Sequence, residues 1–189
     1  MSIFVAWMPD EDALDALAAL CASIADRLPP AGRLKWRNRR QLHMTLRFLH
    51  GGLPPDPGPL YAMLADIASR TRRIEVVFDR IETWPRVLVA RPAPDPILDR
   101  LFTDIEAVAR ACGEAPERRA AAPHVTLAYP EQRAATLPAS LDTGPGSLPP
   151  LPFATCLGRI AVAHTVPGGY DTPHWWPLQD AAPPGDPLA

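Results

Sequence analysis

"QLHMTLRFLH" (residues 41–50) and "APHVTLAYP" (residues 122–130) each place a histidine two positions before a threonine in an otherwise apolar run. Runs of this kind read as strands, in which alternate side chains share a face. His43, Thr45 and Arg47 then line one side of the first strand, with Met44, Leu46 and Phe48 on the other. His124 and Thr126 line one side of the second, with Val125 and Leu127 turned inward. Two of the five histidines carry the same His-x-Thr-Leu pattern. One such histidine reads as a satisfied polar residue in a half-buried strand; a repeat at matching places in the chain points to chemistry.

The neighbouring segments repeat as well. "SIFVAW" is a buried strand, and Pro9 and Asp10 open a helix with Glu11 and Asp12 in its first turn. Leu14, Leu17, Ala18, Cys21, Ile24, Ala25 and Leu28 recur at helical spacing until Pro29-Pro30 stops them. The basic "RLKWRNRR" leads into the first histidine strand. A "GGLPPDPG" loop follows, then a helix over "PLYAMLADIASRTRR" with Leu60, Met63, Leu64 and Ile67 on one face, and a strand region "IEVVFDRIETW". "RVLVARP" restarts the order, and "DPILDRLFTDIEAVARAC" is a helix with Ile97, Leu98, Leu101, Ile105 and Val108 inward, ended by Gly113 ahead of "HVTLAY". The interval from Val5 to His43 nearly equals that from Val89 to His124, so strand, helix and His-x-Thr strand occur twice in one order. "FATCLGRIAVAHTV", a turn at Gly168-Gly169 and "TPHWWPL" read as a closing hairpin. The expected fold is α+β: two pseudo-symmetric lobes of mostly antiparallel sheet, with outer helices, around a central cleft. One domain is expected over residues 1–180, with a Pro-rich tail over 181–189 that has nothing to pack.

The bulk properties set limits. A chain of 189 residues suffices for one well-cored domain, and a net charge of −2 confines any nucleic-acid contact to a local patch. Cys21, Cys112 and Cys156 are odd in number and have no close spacing, so they read as small buried hydrophobes in a reducing compartment rather than a disulfide framework. "SIFVAW" is too short for a signal-peptide core and no apolar run is long enough to span a bilayer, so the expectation is a cytoplasmic monomer away from membranes. The 25 prolines sit mostly in short clusters between periodic segments.

If the two histidine strands lie side by side about the pseudo-twofold axis, both His-Thr pairs converge on one cleft. Two imidazoles that trade protons near neutral pH, two hydroxyl donors and a guanidinium suit a phosphodiester. One histidine takes a proton from attacking water and the other gives one to the leaving oxygen, while Thr45, Thr126 and Arg47 hold the non-bridging oxygens. No histidine or cysteine pair has metal-ligand spacing, and Gly-x-Ser-x-Gly, P-loop and dinucleotide fingerprints are absent, so neither metal nor cofactor is expected.

"LHMTLRFL" and "PHVTLAY", with "IFVAW", "RVLVA" and "GGYD", resemble the two-histidine phosphoesterase superfamily, most nearly its RNA 2′,3′-cyclic phosphodiesterase branch, also called the 2′-5′ RNA ligase family. The resemblance runs from about Ile3 to Leu178. It implies opening of a terminal 2′,3′-cyclic phosphate of RNA to a 2′-phosphate, with reversible 2′-5′ ligation as a side activity. It also implies His43 as proton donor to the leaving oxygen and His124 as the base that activates water. Two departures stand out. Family members often carry an arginine where this chain has Tyr129, which leaves Arg47 or Arg133 to hold the phosphate, or a weaker grip, or another substrate. They commonly read Phe-Leu-Gly after the first motif, where this chain has His50, taken as a loop residue. A small cyclic nucleotide as substrate, and a binding module without turnover, stay open beside the RNA reading.

Around the motifs, Arg33, Lys35, Arg37, Arg39 and Arg40 interleave with Trp36, as either a rim for an RNA backbone with a stacking ring or a solvated strand edge. Trp84, in the segment taken to join the lobes, is a candidate for the cleft floor, and Tyr129 and Tyr170 are candidates for its wall. His164 and His174 fall in the closing hairpin outside the site, and Trp175 and Trp176 read as one surface and one core ring.

Overall fold

The computed structural model describes residues 2–27, 34–118, 121–131 and 149–180. In chain order the elements are β1 (Ile3–Trp7), α1 (Glu11–Ala25), β2 (Leu34–Trp36), a 3-10 turn (Arg39–Gln41), β3 (Met44–Leu49), α2 (Gly58–Arg70), β4 (Ile74–Trp84), β5 (Val87–Pro92), α3 (Pro96–Ala111), β6 (Val125–Pro130), β7 (Phe153–Leu157), β8 (Arg159–Val166) and β9 (Gly169–Pro177). Two helices start on aspartate caps. Asp10 accepts a bond from the Ala13 amide at 2.9 Å, and Asp95 accepts from Ile97 and Leu98, with Pro96 at the first helical position. The Pro29-Pro30 stop and Leu28 lie outside the described residues, as do Arg33, Arg133 and the tail.

The strands form one nine-stranded sheet in the order β7-β4-β5-β6-β3-β1-β8-β9, with β2 on β6. Every ladder between these strands is antiparallel. It is two halves in mirrored order. Each half has a His-x-Thr strand at the inner edge (β3 or β6), then the strand that precedes a helix (β1 or β5), then two outer strands. This is the expected α+β lobed architecture, with the lobes fused where Met44 of β3 pairs with Val125 of β6.

Two expectations change. "FATCLGRIAVAHTV" is not one strand: it breaks at Gly158, sending β7 to the outer edge of one half beside β4 and β8 into the other half beside β1. The chain therefore passes from the edge strand of one half into the interior of the other, and Leu178 N to Gly158 O at 2.8 Å and Arg73 N to Gln179 O at 2.8 Å close the seam between the halves. Trp84 belongs to a tight β4–β5 hairpin, where it pairs with Val87, rather than to a linker between lobes.

Helix α1 packs against β7, α2 against β9 and α3, and α3 against β3, so all three cover one face of the curled sheet. The buried stripes are Ala13, Leu17, Leu20 and Ile24 in α1, Leu60, Leu64, Ile67 and Ala68 in α2, and Leu98, Leu101, Phe102, Ile105 and Ala109 in α3. Ile97, expected inside, is exposed in the first turn of α3. The cysteines are unpaired, but only Cys21 and Cys112 are half-buried, while Cys156 is exposed on β7. Burial pushes the Cys21 thiol up to about 12. One apolar cluster runs through both halves. At its centre Trp7 of β1 stacks on Phe78 of β4 with centroids 6.2 Å apart, and Phe78 stacks on Phe153 of β7 at 5.2 Å. Because Phe78 is fully buried between the halves, Phe78→Ala should cost about 3–5 kcal/mol, the range for deleting a buried aromatic ring. Urea denaturation should record that loss as one shared transition; two separated transitions would mean that the halves fold independently.

Candidate active site

The site follows from the register of β3 and β6. With Met44 opposite Val125, antiparallel pairing sets His43 across from Thr126 and Thr45 across from His124. The two imidazoles are close enough that the charge of His124 lowers the pKa of His43. Each ring is fixed in the same way. His43 Nδ1 lies 2.9 Å from the Gln41 carbonyl and His124 Nδ1 lies 2.7 Å from the Ala122 carbonyl, in both cases two residues upstream. A carbonyl oxygen only accepts, so Nδ1 carries the proton in both rings and Nε2 is left as the free acceptor of the neutral imidazole. His43 Nε2 takes the Thr45 hydroxyl at 3.1 Å.

Aromatic walls enclose both rings. His43 lies 4.9 Å from the Phe4 ring and 4.5 Å, edge-on, from Tyr170; His124 stands edge-on to Trp84 at 4.5 Å. Burial pushes His43 down to about 4, against the Gln41 bond that raises it and with further lowering from Arg37 and His124. His124 is also lowered, mainly by burial and in part by Arg91, against the Ala122 bond and Glu82. Both rings are thus neutral at neutral pH in the unliganded protein.

Each histidine has one arginine close by, resting on an aromatic face. Arg37, just past β2, donates to the Tyr170 hydroxyl at 2.6 Å and sits over the Tyr129 ring at 5.7 Å. Arg91 of β5 sits over Trp84 at 5.6 Å. Both Nε atoms are buried without a hydrogen-bond partner among the described residues. Arg91 does face the Glu82 carboxylate at 3.6 Å, an ion pair too long for a hydrogen bond. Glu82 also accepts from Trp84 Nε1 at 3.0 Å and pairs with Arg80 at 3.1 Å.

Arg47 is not on this face. A bulge sets Val5 opposite Arg47 and Ala6 opposite Thr45, so Leu46 is the extra residue and the alternation shifts after it. Arg47 turns to the helix side, 3% exposed. Its guanidinium pairs with Glu106 of α3 and with Glu117 at 2.9 Å, and donates to the Ala115 and Phe48 carbonyls. The expected contact of Arg47 with phosphate is therefore replaced by a structural ion-pair cluster. Phe48, expected inward, comes out instead onto the cleft face, 5.5 Å from Phe4.

The basic stretch divides in the same way. Lys35 is exposed opposite Tyr129, which is itself exposed. Trp36 is half-buried with one side packed against the core, and Arg39 is taken by Asp15 and Glu11 of α1. Thr126 is half-buried on β6, opposite Val89. His50, in the turn after β3, lies 3.3 Å from Glu117. His174 packs on Tyr61, and His164 of β8 pairs with Ile3 and Asp171, both outside the cleft. Sequence reasoning missed Phe4, Phe48, Glu82 and Arg91. Arg91 was the one to find, as the lone charge in the apolar body of "RVLVARP". A cavity of ≈ 590 Å³ adjoins the site, running from His124 and Thr45 along Phe48 and Phe102 to Glu106 and Glu117.

The 2′-5′ RNA ligase superfamily profile matches residues 35–161. The RNA 2′,3′-cyclic phosphodiesterase of Bacillus subtilis (strain 168) is 32% identical over 99 residues, which are 50% of this chain and 54% of that protein, so the match spans about half of the relative's length. Among solved structures, TT0787 of Thermus thermophilus superposes with a TM-score of 0.70 at 23% identity, covering 96% of this chain and 100% of that one. LigT of E. coli, crystallised with 3′-AMP, gives 0.67 at 20% identity over 94% and 97%. These two share the fold.

The geometry makes a titration prediction. In an NMR pH titration His43 should change charge near pH 4, well below the usual 6.5. Arg37→Gln removes a neighbouring positive charge and should raise the His43 value; a midpoint unmoved by that substitution would mean that the guanidinium does not face the ring.

Proposed function

The chain belongs to the 2′-5′ RNA ligase superfamily, and within it we propose a metal-independent phosphodiesterase that opens the terminal 2′,3′-cyclic phosphate of RNA to a 2′-phosphate. The observation that carries this reading is the matched pair of imidazoles, each with Nδ1 tied to the carbonyl two residues upstream and Nε2 left to exchange protons. The name of the Bacillus subtilis relative supports it.

His124 Nε2 takes a proton from water as the water oxygen bonds to phosphorus. The bond from phosphorus to the ribose O3′ breaks, and His43 Nε2 delivers a proton to that oxygen, leaving a 3′-hydroxyl and a 2′-phosphate. The division of roles between the histidines follows the family resemblance. Thr45 and Thr126 donate to the non-bridging oxygens. Arg37 has no carboxylate ion-pair partner among the described residues, and supplies the cation that position 129 lacks. The cyclic phosphate monoanion, once bound, counters the lowering by burial and by Arg37 and Arg91, so substrate itself favours protonation of the acid. Joining of ends through a 2′-5′ bond is the same chemistry with a ribose hydroxyl in place of water.

The test is incubation in EDTA with an oligoribonucleotide ending in 2′,3′-cyclic phosphate, identifying the monoester formed. A 2′-phosphate is expected, and His43→Ala and His124→Ala should each lower kcat/KM at least about a hundredfold, with the double variant far from additive. Ligand that binds and is never consumed would leave a binding module instead. The pH dependence has a definite sign. The acid must be protonated in the free protein and both histidines lie below 6.5, so kcat/KM should fall about tenfold per pH unit above that value. The alkaline limb of kcat, which reports the complex, should sit at higher pH.

A further inference from the structure

Antiparallel pairing places Thr45, Ala6, Ala161 and Trp175 in one row across β3, β1, β8 and β9. Paired residues share a face, so Trp175 lies on the same side of the sheet as the histidine site, three strand spacings or about 14 Å from Thr45. Between them the surface is floored by alanines, with Ala163 beside Phe4 in the next row. These alanines are themselves buried, and Met8 and Tyr170 pack against the Phe4–Ala6–Ala163 cluster. Trp176, its neighbour, turns to the helix side and packs on Tyr61. Trp175 is instead 52% exposed, the most exposed large hydrophobic side chain among the described residues.

The ring is not bare. Arg159 holds its guanidinium over the indole at 5.6 Å and has no ion-pair partner among the described residues. Beside them a cavity of ≈ 500 Å³ opens at the seam where the sheet edges meet, lined also by Met8, Cys156 and Gly158. The other charges there are occupied: Arg73 pairs with Asp180 at 2.8 Å and Asp10 caps α1. One unpaired cation with one exposed aromatic face is the combination that takes a base and its phosphate from a single strand.

We infer that Trp175 and Arg159 form a second subsite for the RNA strand, in which a base upstream of the terminal nucleotide stacks on Trp175 and a backbone phosphate pairs with Arg159. The inference rests on the proposed function for the strand's end but concerns its body. A mononucleotide with its phosphate at the histidines does not reach the indole, whereas an oligonucleotide does. The subsite makes the protein select chain ends over free cyclic nucleotides.

The experiment compares 2′,3′-cyclic AMP with an oligoribonucleotide of about six residues ending in 2′,3′-cyclic phosphate, in wild type, Trp175→Ala, Trp175→Phe and Arg159→Gln. Each variant is checked by thermal melting. One stacked base accounts for roughly 1–3 kcal/mol, so Trp175→Ala should raise the oligonucleotide KM about five- to 150-fold, leave kcat near its value and leave cyclic AMP turnover untouched. Trp175→Phe should restore most of the loss, and Arg159→Gln should flatten the salt dependence of the oligonucleotide KM. Equal losses on both substrates, or an unchanged oligonucleotide KM in Trp175→Ala, would overturn the subsite. Fluorescence anisotropy with the same oligonucleotide ending in 2′-phosphate separates the two readings. Binding that depends on Trp175 without turnover of either substrate keeps the subsite and removes the proposed reaction. Turnover of cyclic AMP, with no added affinity for the oligonucleotide, does the reverse.

Discussion

The site depends on one registration, Met44 against Val125, where the two half-sheets meet. Side chains on a strand alternate with a period of two, so a slip of one residue between β3 and β6 would turn one histidine into the core. Little of that register is set at the junction itself. It is fixed from outside, by the Trp7–Phe78–Phe153 stack that spans both halves and by the passage of the chain from β7 to β8, which links one half to the other. The protein thus uses its largest buried rings to hold two small polar motifs opposite each other.

Dry surroundings decide the electrostatics. Aromatic walls lower both imidazoles by burial, and an arginine on an aromatic ring lowers each further. Leaving guanidinium Nε atoms unpartnered in such a place costs stability, since a buried polar group without a bond loses its hydration for nothing in return. An anion between the histidines would oppose these effects. It pairs with the cations and favours the imidazolium, so a cleft that is poorly satisfied when empty becomes satisfied when a phosphate fills it. Neutral histidines in the empty state also avoid placing four positive charges in one cleft.

Much of this was legible in the sequence because it is periodic. The alternation in "HMTL" and "HVTL" placed both histidines with their threonines, and the repeated order of strand, helix and strand foretold two mirrored halves. What failed to read was whatever broke a period. The bulge at Leu46 moved Arg47 off the cleft face and Phe48 onto it; it arises from the pairing with β1, which no local pattern in β3 encodes. Gly158 breaks one apolar run into two strands that lie in opposite halves of the sheet, β7 at one edge and β8 between β1 and β9. The basic stretch looked uniform, yet its members separated according to neighbours distant in sequence: Arg39 to α1, Arg37 to Tyr170, and Trp36 to the core.

Arg47, expected at the phosphate, and Arg37, expected on the outer rim, show how far position outranks residue type. Arg47 sits inside the first motif and is consumed by carboxylates from α3 and the segment after it. Glu114 of that segment also accepts from the His50 and Gly51 amides, so the end of β3 is fastened to the chain that leads toward His124. The arginine of the first motif acts on the second by holding its approach. Arg37 belongs to neither motif, but β2 pairs with β6 beyond the reach of β3 and delivers it beside His43. A motif read as a string puts Arg47 beside the histidines; the sheet puts Arg37 there instead, because Arg47 is already neutralised by two carboxylates while Arg37 rests on a tyrosine face with no carboxylate partner among the described residues.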